Sequence, residues 1–245
     1  MDPFIPSLHD SVTRFSAAVR TGPFDAPVRG CPGWDVAQLA RHLGFVHRWA
    51  RLAASTGAPP DTSAIDDAPT DADSGALADW FDEGATALIE VFGALDPDGP
   101  TWHPFPVAKL GRVWPRRQAH EAFIHAWDIE DAIGTARPMD PTMAADGISE
   151  YFEVMVPRII IRDQRPAPVG TVAIVCTDAE FQHGSNRLIV RAGDPLTVVV
   201  DPTASPTAEL SGRAEDLTLA LWGRRSLVSA PSEGLGAAWL RYGGN

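Results

Sequence analysis

The stretch 114–131, WPRRQAHEAFIHAWDIED, holds the residues best placed to do chemistry. At about 100° per residue on a helix, Arg117, Glu121, His125 and Asp128 fall on one stripe, with Gln118 beside them. Phe123, Ile124 and Trp127 fall largely on the other side. Glu121 and His125 are i,i+4 neighbours, so a carboxylate oxygen and an imidazole nitrogen can converge on one point and share a metal ion. Asp128 is spaced to hold the other nitrogen of His125. The plain alternative is two surface ion pairs, Arg117–Glu121 and His125–Asp128, each worth a few tenths of a kcal/mol. Two ligands do not make a site, so a metal centre requires a third from elsewhere.

The second helical segment offers His42 and His47. Its apolar face is Leu39, Leu43, Val46, Ala50 and Ala53. The two histidines flank that face about 140° apart, so both cannot aim at one metal without distortion. Periodicity does not choose between them. The His120–Glu121…His125 spacing is one residue longer than the zinc-protease HExxH pattern. No G-x-S-x-G, phosphate-binding glycine loop or CxxC is present. Cys31, before Pro32 and Gly33, reads as a packed loop residue, and Cys176 as strand core.

These residues need elements to carry them. Leu8, Val12, Phe15 and Val19 space a first helix over 7–20. A second runs from about Trp34 to Ser55, with Asp35 placed to cap it. The Pro- and Asp-rich segment 56–73 reads as loop. A third helix fits Ser74 to Leu95, and a fourth fits Val113 to Ile133, ended by Gly134. A fifth covers Pro141 to about Ile160. After residue 165 the pattern changes to short β-rich runs at 171–176, 187–191 and 196–200, then helices at Ala214–Gly223 and Leu235–Tyr242. The layout is a helical domain over 1–165 followed by a small α+β domain over 166–245.

The chain has 245 residues and a formal net charge of −12. Eleven of its carboxylates lie in 56–100, a segment without Lys or Arg, so the remaining residues are almost balanced. Such an acidic run reads as a solvated loop and helix face, or as a docking surface for a basic partner. The charge argues against nucleic-acid binding, which needs a basic footprint. The start, MDPFIPSLHD, lacks the pattern of a secretory signal, and no apolar run is long enough to span a bilayer. Two distant cysteines do not form a disulfide framework. Together these point to a cytoplasmic protein with reduced thiols. A single Lys among abundant Arg, Ala, Gly and Pro suggests a GC-rich genome.

The segment 31–50, CPGWDVAQLARHLGFVHRWA, resembles the N-terminal signature of the mycothiol-dependent maleylpyruvate isomerase family, an actinobacterial branch of the DinB-like metal-binding four-helix bundles. RRQAHEAFIHAWDIEDA resembles that family's second signature. The C-terminal part, with SGRAEDLTLALWGRR at 211–225, resembles its sterol-carrier-like α+β domain. The resemblance implies zinc or another divalent metal held by His42, Glu121 and His125. It implies that His47 lines the site, that Asp128 matches the family's aspartate after the ligand histidine, and that Arg224 matches an arginine contributed by the second domain.

Three protein ligands leave zinc an open position. In the family that position takes the thiol of mycothiol, whose proton the metal makes easy to lose. The thiolate then adds to an activated cis double bond, which rotates and eliminates as the trans isomer. The same thiolate would serve transfer to a small electrophile. No protein nucleophile is needed, and Arg117 and Arg224 are candidates to bind a dicarboxylate substrate. Two other functions fit the residues: a zinc-dependent hydrolase using metal-activated water, or a non-catalytic small-molecule-binding module.

Overall fold

The computed structural model describes residues 2–70, 73–194 and 197–243. Four long helices come first: α1 (Phe4–Thr21), α2 (Val36–Thr56), α3 (Ser74–Ala94) and α4 (Val113–Ala132). Each exists because a stripe of apolar residues needs burial. Leu8 and Phe15 of α1, Leu39 and Leu43 of α2, Leu77, Phe81 and Leu88 of α3, and Trp114 and Ile129 of α4 are wholly buried. α1 packs mainly on α3 and α4, and α2 on the same two helices, which closes a four-helix bundle. Phe4 lies against His120 and Arg14 against Glu130, so α1 and α4 run parallel. Trp49 meets Trp114 while His42 meets Glu121, so α2 and α4 run antiparallel.

The expected cap of α2 is present as a full capping box. The Asp35 carboxylate accepts from the Gln38 amide at 2.7 Å, and the Gln38 side chain accepts from the Asp35 amide at 2.9 Å. Asp35→Ala is expected to cost about 1 kcal/mol, read as a lower urea midpoint with unchanged slope. At the same end of the bundle, Gly134 takes φ +76° just beyond α4, a left-handed turn that a side chain would strain. Among its described residues, the segment between α2 and α3 is loop, as its composition suggests, with one 3₁₀ turn at Thr62–Ala64.

The described residues divide into two compact units. One lies within Met1–His103 and Ala108–Arg137, the other within Pro104–Val107 and Pro138–Asn245. The division therefore falls after Arg137, earlier than the boundary at 165 that the change of periodicity suggests. The helices in between, α5 (Pro141–Glu150) and α6 (Val156–Asp163), pack in the second unit. The Thr218 hydroxyl donates to the Ala144 carbonyl at 3.0 Å, and Glu215 accepts from the Met139 amide at 3.2 Å.

The single fifth helix expected over 141–160 is instead interrupted by a π-helical stretch at Tyr151–Met155. Pro157 supplies the reason. It has no N–H to donate and its ring crowds the carbonyl four residues back, so the ladder slips by one residue.

The second unit carries a four-stranded sheet in the order β3-β2-β1-β4. β1 (Gly170–Cys176) pairs antiparallel with β2 (Arg187–Asp194), which pairs antiparallel with β3 (Thr197–Val200). β4 (Ala208–Gly212) pairs parallel with β1, from Val172↔Ala208 to Cys176↔Gly212. The sequence AELSG shows no strand pattern, and its strand state comes from that pairing. Two helices complete the unit, α7 (Ala214–Leu221) and α8 (Gly234–Tyr242).

Candidate metal centre

The stripe on α4 is not a surface feature. Arg117, Gln118, His125 and Asp128 are all buried, so their pairings are interior contacts rather than solvated ion pairs. Desolvated groups of this kind call for partners, and Arg117, His125 and Asp128 have them, whereas Gln118 Oε1 has no hydrogen-bond partner among the described residues. The His125 Nδ1–H donates to Asp128 Oδ2 at 3.0 Å. Arg117 donates to Glu121 Oε2 at 2.8 Å. The other Glu121 oxygen, Oε1, lies 3.5 Å from His125 Nε2 and 3.7 Å from His42 Nε2.

One donor atom from each of His42, Glu121 and His125 lies within 4.8 Å of the others. The two imidazoles meet edge-on, with ring centroids 5.5 Å apart. Distances of 3.5 and 3.7 Å are long for N–H···O hydrogen bonds. They suit donors arranged around a common ion. Bonds of about 2.0–2.1 Å to zinc put tetrahedral N and O donors about 3.4 Å apart. The donor set, two imidazoles and a carboxylate, is one that zinc and its neighbours accept. The residues therefore fit a divalent metal.

The electrostatics agree. Burial opposes charge on Glu121, yet contacts with His125 and His42 and the Arg117 guanidinium hold its carboxyl well below the usual carboxylate range. Burial likewise opposes protonation of His125, but Asp128, Cys31 and Glu121 together raise it well above an ordinary histidine. The cluster thus favours a positive charge at the Glu121–His125 junction, which a proton or a cation can supply.

α2 separates its two histidines as its periodicity requires. His42 sits on the shoulder of the bundle against the Trp34 ring, centroids 4.7 Å apart, with its side chain 34 % exposed. That half-exposure gives the cluster an opening to solvent. His47 is fully buried beside Phe81 and stands outside the donor group. Neither of its ring nitrogens has a hydrogen-bond partner among the described residues. Burial lowers its pKa to about 3, so it is neutral. Arg224 belongs to the second unit, where it donates to the Trp222 carbonyl at 2.8 Å.

Cys31 is the residue that sequence reasoning undervalued. Its loop is pinned by the Trp34 amide donating to the Cys31 carbonyl at 3.0 Å, and Sγ donates to Asp128 Oδ2 at 3.8 Å. Its place four residues before the α2 cap is the available clue, since that cap lies beside the shoulder carrying His42.

Residues 5–130 match the mycothiol maleylpyruvate isomerase N-terminal domain, and residues 142–241 match the MDMPI C-terminal domain. Among solved structures, the chain is similar to a histidine-to-alanine mutant of the mycothiol-dependent maleylpyruvate isomerase. The TM-score is 0.55 at 11 % identity, covering 91 % of this chain and 89 % of that one. At that identity the likeness shows a shared fold. No curated protein matches the chain. Together the two domain matches run from α1 to α8, and the chain belongs to the mycothiol-dependent maleylpyruvate isomerase family.

Proposed function

We propose that this chain is a metal- and mycothiol-dependent enzyme acting on a small electrophile, by cis–trans isomerisation or by thiol transfer. His42, Glu121 and His125 are the proposed ligands, and zinc is the proposed metal. The observation that carries this reading is the placement of Glu121 Oε1 between two imidazole Nε2 atoms at 3.5 and 3.7 Å. A divalent metal bound by three protein ligands keeps an open position and lowers the pKa of a thiol that reaches it.

The chain's own residues then have distinct tasks. Asp128 accepts from His125 Nδ1, which fixes the tautomer and presents the Nε2 lone pair. Arg117 occupies Glu121 Oε2, which turns Oε1 toward the histidines and balances the carboxylate charge. Arg117 thereby acts as a positioning residue for Glu121. Trp34 packs on His42 and limits its rotation. His47 adds a neutral interior imidazole to the same helix.

Calorimetry with mycothiol on metal-loaded and chelator-stripped protein tests the link. Binding is expected with the loaded form and is expected to fall below detection with the stripped one. Equal binding to both would disconnect the thiol from the metal. Turnover of an electrophile or ester in the complete absence of thiol would favour hydrolysis instead.

A further inference from the structure

His125 turns its second nitrogen toward a different donor set. Cys31 Sγ, His125 and Asp128 also bring one donor atom each within 4.8 Å of the others. The measured spacings are 3.8 Å from Sγ to Asp128 Oδ2 and 3.0 Å from His125 Nδ1 to the same oxygen. At zinc's bond lengths, about 2.3 Å to sulfur and 2.0–2.1 Å to nitrogen or oxygen, tetrahedral donors stand about 3.6 Å (S to O) and about 3.4 Å (N to O) apart, and a larger ion such as cadmium sets them somewhat further apart. Shifts of a few tenths of an ångström would complete the geometry. The Asp128 carboxylate is fully shielded from solvent, while Cys31 is half-buried and reachable.

We propose that Cys31, His125 and Asp128 form a second cation site, selective for soft, thiophilic ions such as cadmium or cuprous copper. The thiolate makes the set softer than the N/O set of His42, Glu121 and His125. Binding releases the Cys31 thiol proton to solvent, and the proton on His125 Nδ1 moves to Nε2, so the ring stays neutral. A neutral imidazole has one lone pair. His125 therefore serves one set at a time, and a soft ion on the Cys31 side withdraws it from the other. This competition rests on the proposed ligand role of His125, whereas the soft site itself does not.

The test is a cadmium titration of the full chain, read by the thiolate-to-cadmium charge-transfer band in the ultraviolet and by the alkylation rate of Cys31. Cys176 is fully buried, so the reactive thiol is Cys31. Expected results are one thiolate-bound cadmium per chain and protection of Cys31 from alkylation. Cys31→Ser, on a half-exposed loop, is expected to lose the band and to bind cadmium more than about tenfold more weakly. Asp128→Asn is expected to weaken the band, and His42→Ala to retain it, because His42 is outside this set. Unchanged alkylation in the presence of cadmium, a band surviving in Cys31→Ser or unaltered in Asp128→Asn, or a band lost in His42→Ala would each overturn the site. If the band behaves as expected while His42→Ala leaves the bound zinc undisturbed, the soft site stands and the ligand assignment of His42 fails.

Discussion

His125→Ala is expected to lower bound divalent metal from about one per chain to a small fraction, and to abolish thiol-dependent turnover with it. His125 is the residue on which the cluster converges. Its Nε2 faces Glu121 Oε1 at 3.5 Å, and its Nδ1 is held by Asp128 at 3.0 Å. Removing it deletes a proposed ligand and takes from the buried Asp128 carboxylate its 3.0 Å contact with Nδ1. Asp128→Asn keeps the ligand but loses the charge that fixes its tautomer. Its metal affinity should fall by roughly 10–100-fold, the usual cost of an outer partner. His47→Leu supplies the contrast. His47 is buried and neutral and lies outside the donor group, so metal content should be retained. Elemental analysis of the three purified variants, with circular dichroism to confirm folding, checks all of this. Full metal content in His125→Ala would remove the site from α4.

Several of these relations are readable from spacing, and others are not. Glu121, His125 and Asp128 lie three and four residues apart, so any helix through them must place them together. Asp35 could be recognised as a cap because a short polar residue precedes an apolar-periodic run. The choice between His42 and His47 could not be made by periodicity. It depends on which shoulder of α2 approaches α4, and that is set by Trp49 on Trp114 and by Leu39 and Leu43 in the core. The buried state of α4 was likewise hidden. Its charged residues suggest a solvated face, yet Arg117 and Asp128 are enclosed because each has a partner. Cys31 sits in a loop, where no period predicts what it will touch. β4 and the packing of α5 depend on tertiary partners in the same way: AELSG becomes a strand only beside β1, and α5 lies in the second unit because α7 receives it.

Gly44→Ala should destabilise the protein although helix propensity predicts the opposite. Alanine in the middle of α2 would gain about 1 kcal/mol of propensity over glycine. A Cβ at position 44, however, would stand 2.1 Å from Trp80 Cζ3 and 2.6 Å from Cη2. Trp80 has nowhere to retreat. The Arg48 guanidinium lies over its ring at 4.0 Å, and Arg48 is itself held by the carbonyls of Trp80 at 2.7 Å and Gly44 at 3.3 Å. The far side of Arg48 is closed by Gly84, where a Cβ would come within 2.1 Å of Nη1. Moving Trp80 therefore disturbs a buried cation whose hydrogen bonds are all to α2 and α3 backbone. Overpacking costs about 1–3 kcal/mol, and loosening a buried charge costs more. The net effect should be about 2–4 kcal/mol, or a fall in Tm of roughly 5–15 °C. Gly93→Ala on α3 is the control, because a Cβ there meets nothing within 4 Å. It should be neutral or stabilising by up to about 1 kcal/mol. Differential scanning calorimetry of both variants decides the matter. A Gly44→Ala protein at least as stable as the parent would show that α2 and α3 are not locked at this notch.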